Sequence, residues 1–227
     1  KGRFYPADLP RSRMLEAYAR RFPTVEINAT FYRLPAPHVV ATWRDAVPGD
    51  FRFAVKAPQR ITHLKRLLDC EDLVARFYEV AAELRGGLGP VLFQLHPGMK
   101  ADVPRLRAFL ALLPHGGRAA FEFRHPSWFD DAVYVALADA GAALCVADTD
   151  DGETPTIPTA GFGYLRLRRA EYDLPALARW RDRILAQRWQ EAFVFFKHED
   201  EARGPVFATA FALLGEEERA APDPGHA

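Results

Sequence analysis

The sequence predicts an α/β fold of the TIM-barrel type, a (β/α)8 barrel, and three observations carry that prediction. Strand-like and helix-like segments alternate along the chain, the pattern of a parallel sheet with crossover helices. A helix-like stretch, residues 11–22, precedes the first of seven strand-like segments, so an eighth strand is expected upstream of Lys1. No GxGxxG or GxxxxGK(S/T) loop follows any strand, which counts against an open nucleotide-binding sheet.

Taken in order, TVEIN (24–28) alternates Val25 and Ile27 with Thr24, Glu26 and Asn28, as a strand with one apolar face does. Helical spacing follows at 38–46. FRFAVKAP (51–58) sets Phe51, Phe53 and Val55 against Arg52, Ala54 and Lys56. The longest helical pattern, 69–84, puts Leu73, Phe77, Val80, Ala81 and Leu84 on one face. PVLFQLH (90–96) leads to a helix at 103–113, and RAAFEFR (118–124) to one at 132–140. AALCVAD (142–148) is the fifth strand. GYLRLRR (163–169) precedes a helix at 174–187, and AFVFFKHE (192–199) precedes one at 205–214. Apolar content and β-branched or aromatic enrichment mark these runs as strands. One domain is expected over 1–215. The segment EEERAAPDPGHA from Glu216 is charged and proline-bearing and reads as a flexible tail.

At 227 residues, 49% hydrophobic and 26% charged, the chain can bury a substantial core and shows no compositional sign of disorder. Thirty basic and thirty acidic side chains cancel, which removes the simplest argument for non-specific nucleic-acid or membrane binding. Cys70 and Cys145 lie far apart without metal or redox spacing, so reduced thiols in a cytoplasmic protein are the expectation. No stretch approaches the roughly 18 apolar residues of a membrane span.

In a barrel, alternate side chains face the helices or the axis, and active sites form at the C-terminal strand ends. With Val25, Ile27, Phe53, Val55, Phe121 and Phe123 turned outward, a polar set turns inward: Glu26, Asn28, Lys56, Gln94, Glu122, Arg124 and Arg166. The last strand, whose aromatic run leaves its phase ambiguous, sends Phe193, Phe195 and Lys197 inward. Asp148 ends its strand at the same rim. Loop residues just beyond add Thr30, Tyr32, His63, His125, Trp128 and His198. Unpaired charges in a low-dielectric interior are costly, so these groups must pair, be hydrated or meet a ligand.

Plainer readings stand beside this one. Glu26 with Lys56 or Arg124 makes an interior salt bridge that merely fills the barrel. Arg52 and Arg168 read as rim or base charges, and His63, His125 and His198, taken singly, as loop residues. Trp128 in HPSWF reads as a packing anchor, and Cys145 as an inert core thiol.

Several segments resemble the YecE-like family, known as domain of unknown function seventy-two. They are KGRFYP (1–6), VEINATFYRLP (25–35), FRFAVKAPQRITH (51–63), GPVLFQLHP (89–97) and AFEFRHPSW (120–128), with looser matches at 164–168 and 193–208. The resemblance runs in order across nearly the whole chain and implies a TIM barrel. It implies no reaction. Members typically carry a GTSGW-like segment before the FYP motif, which the sequence lacks. Many end their last strand in YFNN, where Phe195, Phe196, Lys197 and His198 stand here. No role of those amides carries over.

Three functions follow. The first is an enzyme acting on a small anionic substrate, bearing phosphate or carboxylate. Glu26, Lys56 and Glu122 are its catalytic candidates, and Asn28, Thr30, Tyr32, His63, Gln94, Arg124, His125, Trp128, Asp148, Arg166, Lys197 and His198 its binding candidates. The inward excess of cations favours an anion, and a desolvated Lys56 would act as a base or Schiff-base nucleophile. The second is a divalent-metal hydrolase, isomerase or nuclease using Glu26, Glu122, Asp148 and His125 or His198, against which the nearby Lys56 and Arg124 argue. The third is a non-catalytic binder of nucleic acid or a phosphorylated ligand. No motif indicates a cofactor or a metal, and oligomeric state is left open.

Overall fold

The structure, a computed structural model, describes residues 4–196 and 203–220, with side chains through residue 215. All seven expected strands form. They are β1 (Thr24–Ile27), β2 (Arg52–Lys56), β3 (Leu88–Gln94), β4 (Ala119–Glu122), β5 (Ala143–Thr149), β7 (Phe162–Leu167) and β8 (Glu191–Phe196). They pair in parallel in the order β1-β2-β3-β4-β5-β7-β8, and the two-residue β6 (Gly152–Glu153) pairs antiparallel with β5.

Helices α1 (Met14–Ala19), α3 (Pro37–Asp45), α4 (Glu71–Ala81), α5 (Val103–Leu110), α6 (Asp131–Asp139), α7 (Leu174–Leu185) and α8 (Arg203–Ala220) occupy the predicted helical stretches. Local chemistry sets their starts. The carboxylates of Asp102, Asp130 and Asp173 accept from backbone N–H groups of the first turns of α5, α6 and α7. Prolines occupy the first helical turn of α3, α5 and α7. Two short elements escape periodicity: α2 (Ala29–Tyr32), directly after β1, and a π-helical turn (Arg60–Leu64) after β2. Helix α8 continues to Ala220, past the predicted stretch 205–214, through good helix formers.

The strands alternate as expected. Phe53, Val55, Val91, Phe93, Phe121 and Phe123 join the cluster between sheet and helices, packed with Val74, Phe77, Leu106 and Phe109. Ala54, Leu92, Ala120, Ala143, Cys145, Phe162, Tyr164 and Phe193 fill the axis, with Phe195 against them. The inward phase of β8 thus holds for Phe193 and Phe195, while Phe196 packs on the helix side; Lys197 lies outside the described residues. The lower barrel is closed by small and apolar side chains, which leaves the polar set to the C-terminal end. Among the described residues, β1 and β8 are the two edges of the parallel sheet. A cavity of about 370 Å³ lies between them, with Glu26, Asn28, Arg166 and Phe195 in its lining. No helix among the described residues is long and apolar enough to cross a membrane.

Candidate active site

The inward polar residues meet around one guanidinium. Arg166, on β7, donates from Nη2 to Glu26 Oε1 at 2.8 Å and from Nη1 to Glu122 Oε2 at 2.6 Å. Strands β1 and β4 are thereby tied across the barrel. Glu26 accepts two more bonds, from Asn28 Nδ2 at 2.9 Å and Tyr164 OH at 2.8 Å. Glu122 also accepts from Gln94 Nε2 at 2.8 Å and Arg124 Nε at 3.2 Å. Burial alone would raise the Glu122 carboxyl, but the charges of Arg166 and Arg124 and the bonds from Gln94 and Arg166 outweigh it and hold the pKa at about 2. Burial likewise opposes the charge on Arg166, and Glu26 and Glu122 overcome it and keep it above its ordinary value.

Lys56 stands at the edge of this network. Gln94 lies opposite Glu122 in the β3–β4 register, and its amide gives both ends to the site. Its Nε2 donates to Glu122, and its Oε1 accepts from Lys56 Nζ at 2.8 Å. The ammonium sits 3.9 Å from the centre of the Phe31 ring, a cation–π contact. It makes no ion pair with a carboxylate among the described residues, and Arg124 pairs with Glu122, so neither form of the plainer reading, a Glu26–Lys56 or a Glu26–Arg124 bridge, is present; Arg166 pairs with Glu26 instead. Desolvation, then the charges of Arg166 and Arg124, lower the Lys56 pKa to about 8, against the opposing pull of Glu122 and Glu26.

His63 lies near Lys56. Its ring is edge-on to Phe31 at 5.0 Å and to His96 at 5.4 Å, and its Nδ1 is 2.9 Å from Thr62 Oγ1. Desolvation, with His96 and Lys56, lowers its pKa to about 4, so it is neutral at physiological pH. Thr30 Oγ1 donates to the Lys56 carbonyl at 2.6 Å, which pins α2 over the end of β2.

Other expected site residues stand elsewhere. Asp148 is fully buried but turned outward, because Cys145 and Ala147 of the same strand face the axis side. Its carboxylate accepts from Arg169 Nε at 2.6 Å, Tyr172 OH at 2.9 Å and Trp180 Nε1 at 3.1 Å. Trp128 is buried in the sheet–helix layer. It stacks on Phe123 at 4.5 Å and donates to the Met99 carbonyl at 2.7 Å, as a loop anchor does. The His125 ring accepts from the Ser127 backbone N–H at 3.2 Å and caps the turn that carries Trp128. Tyr32 is 75% exposed. Lys197 and His198 lie outside the described residues.

Three residues at the mouth were absent from the expected site. Tyr164 and Arg168 share the inward phase of Arg166, so alternation alone marked them. His96 follows the end of β3. Arg168 is half-buried, and its guanidinium has neither a hydrogen bond nor an ion pair among the described residues. Burial, then Arg166, lowers its pKa. It borders a cavity of about 540 Å³ at the ends of β4, β5 and β7, with Glu122, Arg124, Thr149, Asp150 and Asp151 also in the lining.

Among the described residues, no three His, Cys, Asp or Glu side chains converge to hold a metal ion. The expected ligand set is dispersed: Glu26 and Glu122 share Arg166, and Asp148 faces the other way.

The family described as "Protein of unknown function DUF72" matches residues 1–226. UPF0759 protein YecE of Escherichia coli (strain K12) is 40% identical over 116 residues, 51% of this chain and 43% of that protein. UPF0759 protein YunF of Bacillus subtilis (strain 168) is 30% identical over 139 residues, 57% of this chain and 49% of that one. The matched chain thus spans about half the length of these curated relatives. A crystal structure of a DUF72 family protein from Thermotoga maritima MSB8 superimposes with a TM-score of 0.81 at 26% identity, covering 95% of this chain and 94% of its own. One from Enterococcus faecalis V583 does so at 0.74 and 21% identity, covering 90% and 94%, a likeness of fold alone.

Proposed function

Because the chain belongs to the DUF72 family, whose name states no reaction, we propose its chemistry from the barrel mouth: it is an enzyme acting on a small anionic substrate, with Lys56 as the group that moves the proton. The observation that carries this reading is the state of the Lys56 amine. It is buried, bonded to a neutral amide, unpaired with any carboxylate among the described residues, and lowered to about 8. A lysine in that condition supplies an appreciable fraction of free amine near neutral pH and serves as a base or as a nucleophile toward a carbonyl.

The two glutamates then divide from Lys56 in role. A carboxyl held at about 2 does not exchange protons near pH 7, so Glu122 acts as fixed negative charge that positions Arg124, Gln94 and Arg166. Glu26, bonded to Arg166, Tyr164 and Asn28, belongs to the same frame. Gln94 orients the Lys56 amine. The substrate's anionic group is met by Arg124, whose terminal nitrogens make no hydrogen bond among the described residues, and by Arg168, which pairs with no carboxylate among them, while Asp150 and Asp151 line the same cavity. A metal-dependent reading finds no converging ligand set among the described residues.

The test is a panel of small phosphorylated and carboxylated compounds assayed with the wild type, Lys56→Met and Lys56→Arg. The expected result is turnover that rises through a midpoint near the Lys56 pKa of about 8. In Lys56→Met it should fall by roughly 10²- to 10⁴-fold, the usual range for loss of a general base. Turnover that survives in Lys56→Met would remove Lys56 from the chemistry.

A further inference from the structure

The mouth cavity beside the Glu122–Arg166 frame has a composition that specifies more than an anion. Two of its lining residues are guanidinium groups with donors to spare. Arg124 commits Nε to Glu122, and its terminal nitrogens make no hydrogen bond among the described residues. Arg168 commits none of its side-chain nitrogens, although it is half-buried and already lowered by burial and by Arg166. A half-buried guanidinium without an anion is unfavourable, and a bound oxyanion relieves that cost. Two planar forks suit an anion with three terminal oxygens, since each fork takes two oxygens and they can share one.

The same cavity carries acceptors that a bare anion would not use. Asp151, on the turn between β5 and β6, has a carboxylate with no hydrogen bond among the described residues. Asp150 accepts from the Ala170 backbone N–H at 3.1 Å, which fastens that turn to the end of β7. Thr149 and Thr154 add hydroxyls, each bonded to backbone, and Phe129 and Pro97 give an apolar wall. Carboxylates repel a phosphate but accept from hydroxyl groups, so the lining is divided in preference. A volume of about 540 Å³ is in the range of small-ligand sites.

We propose that this cavity binds a phosphorylated polyhydroxy compound of sugar-phosphate type, with Arg124 and Arg168 on the phosphate and Asp151 on the hydroxyl groups. The assignment rests on the reading of the mouth as an active site and names its substrate class. It also gives Arg168 a specific role, as the residue that holds the phosphate.

Calorimetric titration of the protein with glucose 6-phosphate, inorganic phosphate and glucose tests it, using the wild type, Arg168→Met, Asp151→Asn and Lys56→Met. Glucose 6-phosphate should bind best and glucose least. Arg168→Met should weaken glucose 6-phosphate and inorganic phosphate alike, by roughly tenfold to a hundredfold, the range for a lost charge-assisted hydrogen bond in a partly buried site. Asp151→Asn should weaken glucose 6-phosphate and leave inorganic phosphate unchanged or tighter. The ligand-free Arg168→Met protein should unfold at the same urea concentration as the wild type or higher, because the cation it loses has no partner. Equal affinity in Arg168→Met and wild type, tighter binding of glucose than of its phosphate, or a ligand-free Arg168→Met that is markedly less stable would each overturn the proposal. Lys56→Met separates the two readings. Binding that survives in this variant, with its turnover also intact, sinks the role of Lys56 but not the phosphate site. Lys56-dependent turnover confined to unphosphorylated compounds sinks the phosphate site but not Lys56.

Discussion

Arg166→Met should lower the unfolding free energy at pH 7 by about 3–5 kcal/mol, the range for removing one partner of a buried ion pair. The size follows from what the change leaves behind. Glu26 and Glu122 are both buried or nearly so, and both direct an oxygen at Arg166, at 2.8 and 2.6 Å. Without the guanidinium, Glu26 retains only Tyr164 and Asn28, and Glu122 retains Arg124 and Gln94. A second consequence concerns acid. In the wild type, Glu122 sits at about 2 against an ordinary 4.5. A carboxylate held down in this way contributes stability that is present above about 4.5 and lost as pH falls toward 2. In Arg166→Met that contribution shrinks, so the gap between variant and wild type should narrow on going from pH 7 to pH 3. Urea unfolding at the two pH values measures both effects. Adding Glu26→Gln to Arg166→Met should recover part of the loss, since the orphaned charge is then gone. A loss below about 1 kcal/mol at pH 7 would mean that the buried pairs are worth no more than exposed ones.

Lys56 should act on stability in the opposite sense. Its pKa falls from an ordinary 10.5 to about 8 in the folded protein. Below 8 both folded and unfolded states carry the proton, and the cost of burying the charge is fully present. Between about 8 and 10.5 the folded state has released its proton while the unfolded state still holds it, so wild-type stability rises with pH through this window. At about 1.4 kcal/mol per tenfold, the rise is on the order of 3 kcal/mol. Lys56→Met should lack it. The variant should therefore be as stable as the wild type or more so at pH 7, despite losing the bond to Gln94 and the contact with Phe31. By pH 10.5 that advantage should be gone. Parallel stability curves for the two proteins from pH 7 to 10.5 would show that Lys56 titrates normally. A residue whose removal stabilises the fold is one kept for another purpose.

Much of this arrangement is legible in the amino-acid sequence. The alternation of Val25 and Ile27 with Glu26 and Asn28, and of Phe121 and Phe123 with Glu122 and Arg124, points the polar residues to the axis because strand periodicity is two. The partnerships were not legible. Arg166 meets Glu26 across 140 positions of chain, and only the curvature of the sheet decides that it, not Lys56, pairs with the glutamates. Asp148 misled because its strand, AALCVAD, is apolar on both faces and offers no phase. Trp128 depends on a three-residue turn too short to show a period. Arg168 was legible and undervalued: it shares the phase of Tyr164 and Arg166, but a rim position looked sufficient to explain it. Helix α8 ran past its expected end because the glutamates of 216–218 suit a helix as well as a solvated tail.

The central claim is that the barrel interior divides into a frame of paired charges, Glu26–Arg166–Glu122 with Arg124, and a lysine outside those ion pairs beside it. Selective ¹³C labelling of lysine side chains, with the Lys56 signal assigned by its loss in Lys56→Met, lets that amine be titrated directly by NMR. A midpoint near 8 is the predicted result. A midpoint at or above the ordinary 10.5 would contradict the account, because it would place Lys56 within the ion-paired frame and leave the mouth without a free amine.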